Sequence, residues 1–365
     1  MQNIRRFLRG NIYNKIKTLA TIPENTITQR DLIGMKNIPY KNRILTATQF
    51  LHNEMPIRFA RRIVDLEDLP FNIYQNNPIT NISECYSESL EDILNLPFPT
   101  DYSQCSQFFD VIQKIVDRHS HTLDSMSKGI NEYKQHEYKQ NAIIDDEIFN
   151  LNIFLAKFNR NRTKTRLLLH NYLEYYREDV DTNRIGILNL KCNLQTVLNN
   201  VVNDLENITM TNHMEFPSIE FDINPLDFIY VDSYLHYTFL EILKNSVKAI
   251  HDSYKYNNEI NNGTIKITTS HKDENMYILK ISDNGIGIKP ENLNKIWNFS
   301  YTTSFTNLND CTSDSINSPI SGFGYGLSIS KIILKTFADH IKVYSEYKKG
   351  TDVYIFFDLK SNWII

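Results

Sequence analysis

The apolar positions between Tyr234 and Ile250, in the stretch YLHYTFLEILKNSVKAI, recur at helical spacing. Leu235, Phe239, Ile242, Leu243 and Ile250 define the side of a helix that packs on a core. Glu241, Asn245 and Lys248 fall at spacings of four and three on another side and project together. A helical period also runs from Thr46 to Glu178. The segment NRILTATQFLHNEMPIRFARRI is the first helix, and Pro70 and Pro78 in LPFNIYQNNPI break it. Ser83 to Leu96 is a second, shorter helix closed by Pro97. Cys105 to Glu137 is a third, with Phe108, Phe109, Ile112, Ile115 and Val116 inward, and Glu147 to Arg177 a fourth. Four such helices with mostly short connections predict an antiparallel bundle. The polar run from Asp179 to Arg184 marks a domain boundary.

Beyond it the period changes. Short strands are expected at Ile185 to Leu190 and Ser218 to Ile223, with helical Leu194 to Thr209 between them. Thr264 to Ser270 and Met276 to Ser282 form two strands joined at HKDE. Ile341 to Glu346 and Asp352 to Leu359 form a closing hairpin around Lys349 and Gly350. Strands mixed with helices in this order predict an α+β fold, with helices on one face of a mixed sheet.

Composition narrows the class. The net charge of −4 over 365 residues speaks against a general nucleic-acid binder. No apolar run approaches the ~20 residues of a membrane span. Cys85, Cys105, Cys192 and Cys311 are scattered, as in reduced packing thiols. Arg5, Arg6, Arg9, Lys15 and Lys17 lie among Ile4, Phe7, Leu8, Ile12 and Ile16, with no acid before Glu24. That pattern predicts a mitochondrial presequence over residues 1–25, set apart from the fold. The bundle then occupies 40–180 and the α/β part 182–365.

Glycine brings in the chemistry. Five of the 11 glycines sit in SDNGIGI and GFGYGLSISKI. In the first, Asp283 ends an apolar strand row (Leu279, Ile281) and can accept from an exocyclic amine such as that of adenine. Gly285 and Gly287 then let the backbone approach the ring. In the second, Gly322, Phe323, Gly324, Tyr325, Gly326 and Leu327 form a turn opening a helix, where free N–H groups favour phosphate. Asn298 to Ser321, polar and long, is expected to be a lid. A carboxylate and a carboxamide one turn apart (Glu241, Asn245) suit proton abstraction and Mg²⁺ binding.

The order ExxxN, DxGxG, GxGxG resembles the ATP-binding domain of gyrase, MutL and the histidine kinases. From about Asn42 onward the chain resembles the mitochondrial 2-oxo acid dehydrogenase kinases. The likeness is carried by EMPIRFARRI, DRHSHTLDSMSKG, RTKTRLLLHNY, EILKNSVKAI, SDNGIGI, GFGYGL and GTDVY. The resemblance implies a helical regulatory and docking domain and an ATP-binding kinase domain in the mitochondrial matrix. It implies transfer of the γ-phosphoryl of Mg-ATP to a serine of the decarboxylase component, which inactivates the complex.

Under it Glu241 is the general base, Asn245 the Mg²⁺ ligand and Asp283 the adenine anchor. Thr302, Thr303 and Gly322 to Leu327 close over the phosphates, Thr351 lies near the adenine, and Lys248 adds charge near the phosphates. His119 orients Glu241; its phosphorylation, as in a histidine kinase, is the weaker alternative, alongside a catalytically inactive ATP-binding regulator. Further implied partners are the lipoyl domain of the acyltransferase core and a second copy of the chain, without a long C-terminal tail to join them. LPFNIYQNNPI, Tyr237 four residues before Glu241 and the short end after GTDVY lean towards the branched-chain complex. RHSHTLDSMSKGINEYK and GFGYGL are closer to the alternative, a pyruvate dehydrogenase kinase.

Overall fold

A computed structural model describes residues 10–69, 71–139, 145–177, 183–257, 263–299, 301 and 324–365. The chain divides into two compact units, residues 1–187 with Ile365, and residues 188–364.

The first unit is helical. Helix α1 (Gly10–Thr21) packs on α2 (Tyr40–Glu67), and α2 packs on α3 (Asn77–Leu94) and on α6 (Asp145–Tyr176). Helices α4 (Cys105–Arg118) and α5 (Thr122–Lys139) pack on α6 and α3 respectively. The core follows the apolar period: Ile44, Leu51, Met55, Phe59 and Ile63 of α2 meet Ile79, Tyr86 and Leu90 of α3 and Phe158 and Tyr172 of α6, all buried. Ile365 exchanges two backbone hydrogen bonds with Ile27, at 3.0 and 2.9 Å.

Three features depart from the sequence expectation. Pro78 does not break a helix but opens α3 within its first turn, where the missing N–H would have no intrahelical partner anyway. The third helix is interrupted at His119 to His121, giving α4 and α5. His119 turns inward there, with Nε2 3.0 Å from Ser89 Oγ, while the Thr122 hydroxyl donates to the His119 carbonyl at 2.9 Å. Third, the described part of residues 1–25 belongs to the fold: Ile16 of α1 is fully buried, and Lys17 pairs with Glu67 of α2 at 2.7 Å.

The second unit holds the mixed sheet. Strands β1 (Leu188–Asn193) and β3 (Asp227–Tyr230) pair antiparallel; β3 is a strand the sequence pattern did not reveal. The main sheet runs β2 (Ser218–Asp222), β4 (Thr264–His271), β5 (Met276–Asp283), β7 (Gly350–Asp358), β6 (His340–Glu346). Only β2 and β4 are parallel; the other neighbours are antiparallel.

Alternation puts Ile265 and Ile267, then Tyr277, Leu279 and Ile281, then Val353, Ile355 and Phe357 on one buried face. The long helices of this unit, among the described residues, are α7 (Leu194–Thr211), α8 (Asp232–Asn257) and α9 (Gly326–Thr336). Helix α8 packs on both of the others and reaches β5 and β7. Its buried side is the one the period predicts: Leu235, Phe239, Ile242, Leu243 and Ile250. This α+β arrangement leaves the polar side of α8 facing the loops at the ends of β5 and β7. Among the described residues, no helix is long and apolar enough to cross a membrane.

Candidate active site

A cavity of about 490 Å³ opens along α8 in the second unit. Glu241, Asn245, Ser246, Lys248 and Asp252 line it from the helix. Asp283 comes from the end of β5, Ile286 and Gly287 from the loop after it, Gly324 from just before α9, Gly326 and Leu327 from its first turn, and Thr351 and Val353 from β7. Its described wall draws only on residues 241–353.

At one end, Glu241 forms an ion pair with Lys244 at 2.6 Å, the carboxylate 17% and the lysine 3% exposed. The backbone at the start of α9 closes on this carboxylate, since a Cβ added at Gly326 would collide with Glu241 Oε2. Gly324, two residues earlier, has φ +77, and a Cβ there would run into the backbone of Tyr301. Both positions thus need glycine, and they flank a helix start, where the first N–H groups have no intrahelical acceptor and phosphate can be received. Tyr325 between them turns inward, its ring 5.2 Å from Phe299.

At the other end, Asp283 accepts from Ser246 Oγ and from the Gly285 N–H, each at 3.0 Å. Burial pushes its carboxyl up to about 6, against the hydrogen bonds that hold it down. A Cβ at Gly285 would sit 2.6 Å from the backbone of Ala249, so the loop lies directly on α8. The Ile286 N–H donates to the Ala249 carbonyl at 2.9 Å. Gly287 has φ +67. Thr351 stands opposite Asp283 in the β5–β7 register, and its hydroxyl is 2.9 Å from Ser345 Oγ. Lys248 also lines the cavity; burial lowers its pKa, and Asp252 partly opposes this.

Of the residues expected from sequence, the structure brings Glu241, Asn245, Lys248, Asp283, Gly287, Gly324, Gly326, Leu327 and Thr351 to one cavity, with Gly285 directly behind it. Thr302, Thr303, Gly322 and Phe323, and most of the expected lid, lie outside the described residues. Lys244 and Ser246 were missed. Lys244 carried a signal, three residues from Glu241 on a helix, but Lys248 satisfied the same face rule.

His119 belongs to the helical unit. It is 7% exposed, and its ring lies 5.7 Å from Phe59 and 4.4 Å from Tyr86. Burial, then Arg162, Arg118 and Arg166, lower its pKa to about 3, so the imidazole is neutral at pH 7.

The pH dependence of nucleotide binding tests the Asp283 end. An ionised carboxylate is the stronger acceptor for an adenine amine, so affinity is expected to fall as pH drops through about 6 and hold above it. Asp283→Asn is expected to bind more weakly throughout and to lack that step. Calorimetry of both chains over the same pH range separates the step from titration of the nucleotide itself. Identical profiles would take Asp283 out of the site.

A helix carrying a carboxylate and a carboxamide, faced by two glycine turns and a half-buried aspartate at the end of a sheet strand, is the arrangement expected of an ATP-binding domain. Residues 231–361 match the description "Histidine kinase-, DNA gyrase B-, and HSP90-like ATPase". Residues 26–189 match "Mitochondrial branched-chain alpha-ketoacid dehydrogenase kinase".

Curated relatives include the mitochondrial [pyruvate dehydrogenase (acetyl-transferring)] kinase of Arabidopsis thaliana, 27% identical over 333 residues, covering 90% of this chain and 89% of that one. The Schizosaccharomyces pombe kinase of the same description is 26% identical over 95% of this chain and 96% of its own. Human isozyme 4 is 26% identical over 85% of this chain and 76% of its own. The chain belongs to the mitochondrial 2-oxo acid dehydrogenase kinase family. It is a mitochondrial, ATP-dependent protein kinase.

Proposed function

We propose that this kinase phosphorylates a serine of the decarboxylase component of the pyruvate dehydrogenase complex, and so inactivates it. The observation that carries the reading is the single cavity joining Glu241, Asn245, Asp283 and both glycine turns. Mg-ATP, when bound, supplies the transferable γ-phosphoryl group. Asp283 and Thr351 hold the adenine edge, and the N–H groups from Gly324 to Leu327 face the phosphates. Lys248 adds positive charge along the wall.

Asn245 offers the amide oxygen for Mg²⁺. Among the described residues no group of three His, Cys, Asp or Glu forms a metal cage. Mg²⁺ commonly binds through one or two protein oxygens, substrate phosphates and water. Glu241, held by Lys244, takes the proton from the serine hydroxyl. Phosphoryl transfer needs little beyond such positioning and charge neutralisation.

We assign His119 to the helix break, where Ser89 holds it, rather than to the transfer step. Its burial also speaks against a phosphoacceptor role, because an acceptor has to reach the γ-phosphate. The decarboxylase component and the lipoyl domain of the acyltransferase core are the partners in this reading, the latter docking on the helical unit. A second copy of the chain is kept as a partner, tested by sedimentation. The lean towards the branched-chain complex gives way, because the relatives named above are pyruvate dehydrogenase kinases. The match of residues 26–189 keeps the branched-chain complex as the second reading.

Purified pyruvate and branched-chain complexes, labelled side by side with radioactive ATP, decide the matter. Acid-stable phosphoserine on the pyruvate decarboxylase component is the expected result. Faster labelling of the branched-chain component would overturn the choice of substrate, and acid-labile label on the kinase itself would overturn the reaction.

A further inference from the structure

The N-terminal stretch MQNIRRFLRGNIYNKIKTLAT is basic and amphipathic, and no acid precedes Glu24, the pattern of a mitochondrial address. Such an address is removed by a matrix peptidase, which hydrolyses one peptide bond with water adding across it. The contacts of α1 and of the segment after it limit where that bond can lie.

We propose that helix α1 stays in the mature enzyme, any cut falling before Gly10, so that one basic stretch serves first as address and then as part of the helical unit. Ile16 is fully buried where α1 packs on α2. Losing it would open apolar surface of α2 to water. Lys17 holds Glu67 of α2 at 2.7 Å and lies over the Tyr13 ring. The residues just beyond α1 are tied more deeply still. Glu54 is fully buried. It accepts from Arg58 Nε at 2.8 Å, from the Asn25 N–H at 3.1 Å and from Asn25 Nδ2 at 2.7 Å.

Arg58 in turn donates to the Asn25 carbonyl at 3.0 Å. Glu24 lies within 3.7 to 3.9 Å of Arg58, Arg61 and Arg62. A cut after Asn25 would strip Glu54 of two donors and leave three arginines without Glu24. Removing one side of a buried charge cluster is among the most destabilising of changes. The basic residues of α1 are compatible with both tasks, because an address is read on the unfolded chain and the packing forms afterwards.

The test is the N-terminus of the enzyme recovered from mitochondria after expression of the full chain, read by mass spectrometry of its first peptide. A first residue at or before Gly10 is expected. A first residue between Asn11 and Thr28 would overturn the proposal. In parallel, chains beginning at Gly10 and at Thr26 are melted beside the full chain. The Gly10 chain is expected to match it, and the Thr26 chain to melt lower by about 10 °C or more or to fail to fold. Equal melting of the Thr26 chain would also overturn the proposal. Ile16→Asp in the full chain keeps every basic residue and should lower melting in the same direction, which separates packing from import. Unchanged melting there would show that α1 is dispensable.

Discussion

Glu241→Gln is expected to lower serine phosphorylation by roughly 10²–10⁴-fold, the usual worth of a placed general base, while ATP affinity stays near that of the parent chain. The amide keeps the size of the carboxylate and its place against the start of α9, so the cavity survives. It cannot take the serine proton. Single-turnover transfer and calorimetry read the two quantities separately, and full-rate transfer by Glu241→Gln would exclude it as the base.

The ion pair with Lys244 gives a second check. Lys244 is 3% exposed and 2.6 Å from the carboxylate, so Lys244→Met leaves Glu241 chemically intact but no longer held. Its effect on the rate should be smaller than that of Glu241→Gln. The double variant should be little slower than Glu241→Gln alone, because the lysine acts through the glutamate.

What was legible in the sequence follows from how local its cause is. The period of Leu235, Phe239, Ile242, Leu243 and Ile250 is set by one helix packing on one core, and all five are buried. The alternation of β4, β5 and the closing hairpin is local in the same way, and only the ends moved. The Asp283 to Gly287 turn was readable because its glycines answer to positive φ and close backbone approach.

The rest depended on partners distant in the chain. Nothing near His119 announces a break, and the partner its ring meets there, Ser89, lies 30 residues earlier. The strand Asp227–Tyr230 is only four residues long, and its place is set by its pairing with Leu188–Asn193, too far off to be seen in a local period. That Lys244 pairs with Glu241 turns on side-chain direction, which spacing alone leaves open. The N-terminus shows the same limit, because the pattern that marks an address is also that of a helix with one buried stripe. The packing became visible only with the partners of Ile16 and Lys17 on α2.

Gly324→Val is expected to abolish measurable ATP binding while leaving the chain folded. Gly324 sits at φ +77, a conformation unfavourable for a β-branched residue. Its Cβ would fall 2.7 and 2.8 Å from the carbonyl carbon and nitrogen of Tyr301. These are backbone atoms, so no side chain can swing away, and the turn itself has to move. That turn sets where the first N–H groups of α9 point, and a displaced helix start loses both the hydrogen bonds and the dipole aimed at phosphate.

Gly324→Ala meets the same Cβ position and the same φ with a smaller side chain. Backbone strain of about 1–3 kcal/mol corresponds to a loss of roughly 5- to 150-fold in affinity. Gly34→Ala is the control, since a Cβ there meets nothing within 4 Å, and it should bind ATP as the parent does. Circular dichroism and thermal melting establish that each chain is folded, and calorimetry with Mg-ATP reads the affinity. Parent-like binding by folded Gly324→Val would move the phosphate cradle away from this turn, and with it the site assigned to the γ-phosphoryl group beside Glu241.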